Sequence, residues 1–258
     1  MFESLIKELS ALAEVEAIAL GGSRAGTQFD AKSDYDVYLY CTAPVAECRR
    51  RKILEEFCCH MELGNHFWEL EDNCTLKNGV DIDILYRNLK DFSLDVASVA
   101  EQFQPRNGYT TCMWHNLKTC RILYDPSGKL QALKDRFHIP YPEQLRENII
   151  RRNRALLHDQ LPSYDGQIRK AASRGDLVSI NHRVTAFLES YFDILFALNR
   201  QTHPGEKRLI QLCREHCPVL PELFEENINT LFADMFTNTE AIGDDLTNII
   251  VELEKILE

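Results

Sequence analysis

Apolar positions change their period along this chain, and the changes mark out its elements. In "FESLIKELSALAEV", Phe2, Leu5, Ile6, Leu9 and Leu12 recur at helical spacing, which predicts an amphipathic helix. "EAIAL" is short and continuously apolar, as a buried strand is, and Gly21-Gly22 stops it. "SRAG" then opens a short helix or turn. "YDVYLYC" predicts a second strand, rich in aromatic and branched residues and closed by Pro44, and residues 45–61 read as a helix. After Gly64, "HFWELE" reads as a strand. "EDNCTLKNGVDIDILYR" has a strand on each side of the Asn78-Gly79 turn signal and so predicts a hairpin. "LKDFSLDVASVAEQF" and "TTCMWHNLKTC" read as helices, "RILYD" as one more strand, and Pro126-Ser127-Gly128 as a loop.

From Pro142 onward the period is helical throughout, over 142–159, 163–174, 176–199, 205–215, 221–235 and 238–257. The expected fold class is therefore α+β. An α/β domain with a small mixed sheet, residues 1–130, is followed by an all-α helical-bundle domain, residues 131–258. A chain of 258 residues with 45% apolar content can build both cores, and it shows no internal repeat or low-complexity tract.

Composition narrows the setting. "AIAL" and "VTAFLESYFDILFAL" are too short or too interrupted by charge to cross a bilayer. "MFESLIKELSAL" carries acids where a secretory signal carries a basic flank, so a soluble cytoplasmic protein is expected. Nine cysteines without a repeating spacing point to reduced thiols rather than a disulfide framework. "CREHC" (Cys213, His216, Cys217) has a spacing shared by a metal site and a buried helical stripe, and the stripe is the simpler account. A net charge of −11 argues against sequence-independent binding to nucleic acid but leaves room for a small anionic ligand. Two basic clusters, Arg49-Arg50-Arg51-Lys52 and Arg146, Arg151, Arg152 and Arg154, read as solvated helix faces.

The chemistry concentrates in "ALGGSRAGTQFDAKSDYDVYLY". Side chains two apart on a strand share a face, so Asp34 and Asp36 present both carboxylates in one direction, and Asp81 and Asp83 of "GVDIDILY" do the same on another strand. Bringing such charges within about 4 Å costs on the order of 4 kcal/mol per pair at an effective dielectric near 20, so a cation is expected between them. Mg²⁺ takes carboxylate oxygens and keeps its other positions for water and substrate phosphates, and two such ions can hold a nucleoside triphosphate. Gly21 and Gly22 would let backbone N–H groups approach phosphate oxygens, with the Ser23 hydroxyl as a further donor. Taken singly, Asp34 reads equally well as a turn residue and Asp36 as a solvent-facing strand residue; the ordered set is what carries the metal reading. "GGSRAGT" does not complete a Walker loop, since Thr27 follows the last glycine, and there is no G-x-G-x-x-G, H-E-x-x-H or nucleophile elbow.

At "GGS", "SDYDVYLY" and "DIDILY" the sequence resembles the nucleotidyltransferase superfamily that includes DNA polymerase β and the aminoglycoside and lincosamide nucleotidyltransferases. The match covers roughly the first 90 residues. The resemblance implies Gly22, Ser23 and Arg24 as triphosphate contacts and Asp34 and Asp36 as metal ligands. It implies a third acid as metal ligand or general base, for which Asp81 and Asp83 both stand between apolar residues and Asp83 is favoured by the following "ILYR". The helical half is similar to that of bacterial small-molecule members, and Arg183 and Lys207 there are candidates to anchor the triphosphate, against a bland surface role. Trp68, Glu69 and Glu71 are candidates for the acceptor, although a strand tryptophan is more often core. The implied activity is Mg²⁺-dependent transfer of a nucleoside monophosphate from an NTP, ATP first, to a hydroxyl of a small-molecule acceptor, antibiotics included, with release of pyrophosphate. A homodimer is compatible with it; membrane and nucleic-acid partners are not expected. The rivals are a nucleotidyltransferase-fold antitoxin or regulator, and a protein AMP-transferase acting on a partner.

Overall fold

The structure is a computed structural model that describes residues 1–26, 33–67 and 69–258. The chain divides into two compact units, Met1–Ala97 with Asn116–Ile139, and Ser98–His115 with Pro140–Glu258. The crossings at 97/98 and 115/116 fall within helices and the one at 139/140 in a connection, so the segment 98–115 belongs with the helical unit although it precedes the last strand in sequence.

The first unit is built on β1 (Val15–Leu20), β2 (Tyr35–Cys41), β3 (Cys58–Asn65), β4 (Leu70–Leu76), β5 (Asp81–Arg87) and β6 (Arg121–Tyr124), in the order β3-β4-β5-β2-β1-β6. Its helices are α1 (Phe2–Ser10), the single turn α2 (Gly22–Ala25), α3 (Glu47–Phe57), α4 (Leu89–Ala100), α5 (Cys112–Thr119) and α6 (Lys129–Arg136), of which α4 and α5 run on into the other unit. β2 and β5 pair in parallel and the other neighbours antiparallel, so the sheet is mixed. Alternation decides the faces. Val37, Leu39, Ile82 and Ile84 join Leu5, Leu9 and Leu54 of α1 and α3 in one core, while Asp36, Tyr38 and Tyr40 turn to the opposite face. The expected hairpin forms about Asn78-Gly79, with Asn73 opposite Asp83.

Two expectations are corrected. The helix expected over 45–61 ends at Phe57, because Cys58 begins β3 and pairs along β4 as far as Asn65. "HFWELE" is not one strand: its first residues lie in the β3–β4 connection, and β4 begins only at Leu70. In both places the ladder between β3 and β4 overrides local pattern, because a strand's backbone groups must find partners.

The first basic cluster is also not one solvated face. Arg49 pairs with Glu14 and Arg51 with Glu47, but Arg50 is buried and pairs with Asp72, which is 0% exposed. Asp72 also accepts from the Gly64 N–H (2.9 Å) and the Tyr86 hydroxyl (2.8 Å), so one carboxylate ties α3, β3, β4 and β5 together. The second cluster is spread over separate partners, with Arg146 on Glu143, Arg152 on Asn107 and Arg154 on Glu254.

The second unit comprises α7 (Glu143–Arg154), which runs into a π-helical turn over Ala155–Asp159, then α8 (Tyr164–Ala172), α9 (Leu177–Leu198), α10 (Leu209–His216), α11 (Phe224–Thr237) and α12 (Ile242–Leu257). α9 is central. Asp176 caps it by accepting from the Ser179 N–H, and every residue from Ser190 to Leu198 is buried, as expected of a helix packed on all sides by α7, α8, α10 and α11. Cys213 and Cys217 lie in this core while His216 is exposed, so "CREHC" is a buried stripe. No helix among the described residues is long and apolar enough to cross a membrane.

The single acid in that buried run, Asp193, is held by the Thr110 N–H (3.0 Å), the Thr110 hydroxyl (2.6 Å) and the Asn153 amide (3.0 Å). Thr111 accepts from the His203 N–H, and His115 meets Thr202, so polar contacts fasten segment 98–115 into the helical unit. Burial pushes the Asp193 carboxyl up to about 7, against the three donors.

Two outcomes are expected. Arg50→Ala leaves Asp72 buried without its cation and lowers unfolding free energy by about 3–5 kcal/mol in urea titration, whereas Arg51→Ala leaves the midpoint unchanged. For Asp193, a folded pKa above the unfolded value means a stabilising contribution that is full below about pH 4 and is lost as pH rises through about 7. Melting temperature should therefore fall between about pH 4 and 7, and less steeply in Asp193→Asn, for which the unpartnered Asn153 Oδ1 offers an acceptor once that amide turns over.

Candidate active site

Asp36 and Asp83 are directly opposed on the parallel pair β2 and β5, on the face away from the core of α1 and α3. Asp34 stands just before β2, and one carboxylate oxygen from each of Asp34, Asp36 and Asp83 lies within 4.8 Å of the others. All three side chains are half-buried, which leaves them open to a ligand. Asp81 shares the Asp83 face but is exposed and accepts from the Thr75 hydroxyl (2.7 Å), and its register partner is Thr75 rather than an acid. The geometry groups Asp83, not Asp81, with Asp34 and Asp36.

The glycine pair has a packing reason that the sequence did not disclose. Gly22 has φ +58, and a Cβ there would sit 1.7 Å from Asp36 Oδ2; a Cβ on Gly21 would sit 2.3 Å from the Tyr38 ring. Two residues of β2 that point the same way thus each require a glycine on the turn after β1. Gly21 also donates its N–H to the Asp36 carbonyl (2.8 Å), which fixes that turn against the strand carrying the acid. Ser23 follows in α2, half-buried.

Arg24 is engaged locally. Its Nε donates to the Ser33 carbonyl (2.6 Å) and its guanidinium lies 4.1 Å above the Tyr35 ring, which stacks in turn on Phe2 (4.1 Å). Ser33 and Tyr35 flank Asp34, so this stack positions the first acid. Arg183 and Lys207 lie in the helical unit, both exposed, and neither belongs to the unit that carries the acids. Trp68 lies outside the described residues. Glu69 pairs with Arg87 (2.6 Å) and Glu71 is buried on β4.

Sequence reasoning missed Asn73. Its amide donates to Asp83 Oδ1 (2.7 Å), and its own carbonyl accepts from Asn65 (2.7 Å). The turn signal alone did not give it: a two-residue loop at Asn78-Gly79 would place Cys74 opposite Asp83, whereas the Leu76 N–H donates to the Val80 carbonyl and the register shifts by one, so that Asn73 faces Asp83. Arg87 was missed as well. It is buried beneath the Tyr38 ring (4.1 Å) and near Phe92 (5.1 Å), while the Tyr38 hydroxyl accepts from Asn116 (2.6 Å). Burial raises the Tyr38 phenol above its ordinary value despite Arg87, so it stays neutral beside the acids.

The donor set suits a hard divalent cation. Three carboxylates converge, two from strands and one from the residue just before β2, one of them oriented by an amide, and thiolate and imidazole ligands are absent from the group.

Comparison with known proteins gives a general likeness. A family model described as a domain of unknown function (DUF4037) matches residues 110–209, a stretch that contains Thr110, Asn153 and Asp193. No curated protein matches the sequence. Among solved structures, the chain is similar to a nucleotidyltransferase-like protein from Exiguobacterium sibiricum, at 13% identity and a TM-score of 0.44, over 100% of this chain and 74% of that one. It is also similar to an aminoglycoside 6-adenyltransferase from Bacillus subtilis, at 9% identity and a TM-score of 0.31, over 100% and 90% of the two chains. At these values the functional reading rests on the site's own residues.

Asn73→Ala should weaken Mn²⁺ binding, read by electron paramagnetic resonance, by roughly tenfold to a hundredfold without changing the melting temperature of the metal-free protein by more than a few degrees.

Proposed function

We propose that the protein is a Mg²⁺-dependent nucleotidyltransferase. It moves a nucleoside monophosphate from a nucleoside triphosphate, with ATP the first candidate, to a hydroxyl of a small-molecule acceptor and releases pyrophosphate. The observation that carries this reading is the convergence of Asp34, Asp36 and Asp83, whose carboxylate oxygens approach within 4.8 Å beside the Gly21-Gly22 turn.

Mg²⁺ held by these acids would neutralise triphosphate and pyrophosphate charge. The residues of the chain do the rest. Asp36 is fixed from one side by Gly22 and from the other by the β2–β5 ladder, so its carboxylate keeps one direction. Asp34 is set by the Arg24 stack on Tyr35, which makes Arg24 a positioning residue. Asp83, which keeps one oxygen on Asn73, is assigned to the third-acid role of accepting the acceptor's proton or sharing the metal. Gly22 and Ser23 are assigned to the triphosphate. Catalysis on such a site is positioning and charge neutralisation.

The test is pyrophosphate release and acceptor labelling with each of the four common nucleoside triphosphates, alongside melting curves with and without Mg²⁺. Asp36→Asn is expected to keep the fold, to lose Mg²⁺-dependent stabilisation by the donor nucleotide and to reduce transfer by at least about a thousandfold. Undiminished transfer in that variant overturns the reading; label on protein instead of small molecules redirects the acceptor.

A further inference from the structure

The helical unit holds a cavity of about 910 Å³, and every residue lining it belongs to that unit. Val184, Leu188 and Phe192 of α9 face Ile228, Phe232 and Met235 of α11 across it, with the start of α10 closing a third side. The volume is that of a site for a drug-sized molecule, and the walls are largely apolar.

The polar groups of the lining are unevenly charged. Glu189, Glu206, Glu215 and Glu225 stand against Arg208 and Arg214, and Arg214 is taken up by Glu225 (2.8 Å). Tyr109, Glu189 and Glu206 form one group. The Tyr109 hydroxyl is pushed up to about 12 by burial and by the charges of Glu189 and Glu206, so both carboxylates act on the phenol. Among the described residues no cation pairs with Glu189, and burial alone raises its carboxyl above the ordinary value. An unpaired carboxylate at an apolar wall costs free energy that a bound cation would return.

The backbone holds this group in place. Gly108 (φ +91) and Tyr109 (φ +52) are both left-handed, and a Cβ on Gly108 would sit 2.7 Å from the Glu189 Cβ. The Tyr109 ring packs edge-on against His203 at 4.8 Å. A non-glycine residue held in that conformation is a constraint maintained by its surroundings, here in a position where Tyr109 lines the same cavity as Glu189 and Glu206.

We propose that this cavity is a binding site for an amphipathic organic cation, a molecule with an apolar aromatic or alicyclic body seated between α9 and α11 and an ammonium group paired with Glu189 and Glu206. The cavity lining includes none of the three aspartates, and the proposal does not depend on the transferase reading.

The experiment is calorimetric titration of the full chain, without nucleotide or Mg²⁺, using 3,3-diphenylpropylamine, the neutral 3,3-diphenylpropanol and the anionic 3,3-diphenylpropanoate. The amine is expected to bind at least about tenfold more tightly than the alcohol, and the carboxylate more weakly than either. Glu189→Gln, which keeps the side-chain shape, should bring amine and alcohol close together, and Leu188→Trp, which narrows the space between α9 and α11, should weaken binding of both. Equal binding of all three probes, binding of none, or an amine preference that survives in the Glu189→Gln, Glu206→Gln double variant overturns the proposal. Asp36→Asn should bind the amine as the unaltered protein does, so failure here and failure of the transfer reaction are read separately.

Discussion

Asp36 and Asp83 stand side by side on parallel strands with Asp34 beside them, and the repulsion among these carboxylates is the constraint around which the first unit is built. Each pair at such separations costs on the order of 4 kcal/mol at an effective dielectric near 20. Strands free to slide would relieve that cost by slipping register, which would also turn the apolar alternates out of the core. β2 and β5 are not free: each has neighbours on both sides in a six-stranded order, and Val37, Leu39, Ile82 and Ile84 lock the register from the buried face. Gly22 leaves room for the Asp36 carboxylate, Asn73 takes one oxygen of Asp83, and Arg24 restrains the residues around Asp34. Core packing thus supports the unfavourable charge arrangement.

Buried charge serves a different purpose elsewhere. Asp72 gathers Arg50, the Gly64 N–H and Tyr86, and so joins three strands to a helix. Asp193 gathers Thr110 and Asn153, and so fastens a segment from the middle of the chain to the central helix of the second unit. Both carboxylates are satisfied by donors from distant parts of the sequence, and therefore select one arrangement of those parts. Among the described residues Glu189 differs from them in having no such donor. That contrast marks its cavity as a place for a ligand rather than a structural joint.

Most of the elements were legible from period alone. The helices of the second unit, the strands at 15–20, 35–41 and 121–124 and the hairpin at Asn78-Gly79 follow from 3.6 or 2 spacing with glycine and proline punctuation. β3 was misread because "CCHMELGN" carries no clean alternation, and only pairing with β4 makes it a strand. Arg50 was read with its neighbours as solvated because a run of four basic residues gives no sign that one faces an aspartate 22 positions away. Segment 98–115 was assigned to the first half because its attachment runs through hydrogen bonds to Asp193, Thr202 and His203, far along the chain, for which local sequence has no signature.

The sequence by itself determined the local terms: which stretches are helix or strand, which carboxylates share a face, and that a glycine pair precedes them. Those depend on backbone period and residue type within a few positions. The tertiary structure alone decided which acids converge, that Gly21 and Gly22 make room for Tyr38 and Asp36, that Asn73 orients Asp83, and that Glu189, with no paired cation among the described residues, borders an apolar cavity. These depend on strand order, register and helix packing, where groups remote in sequence meet at distances that no local pattern encodes.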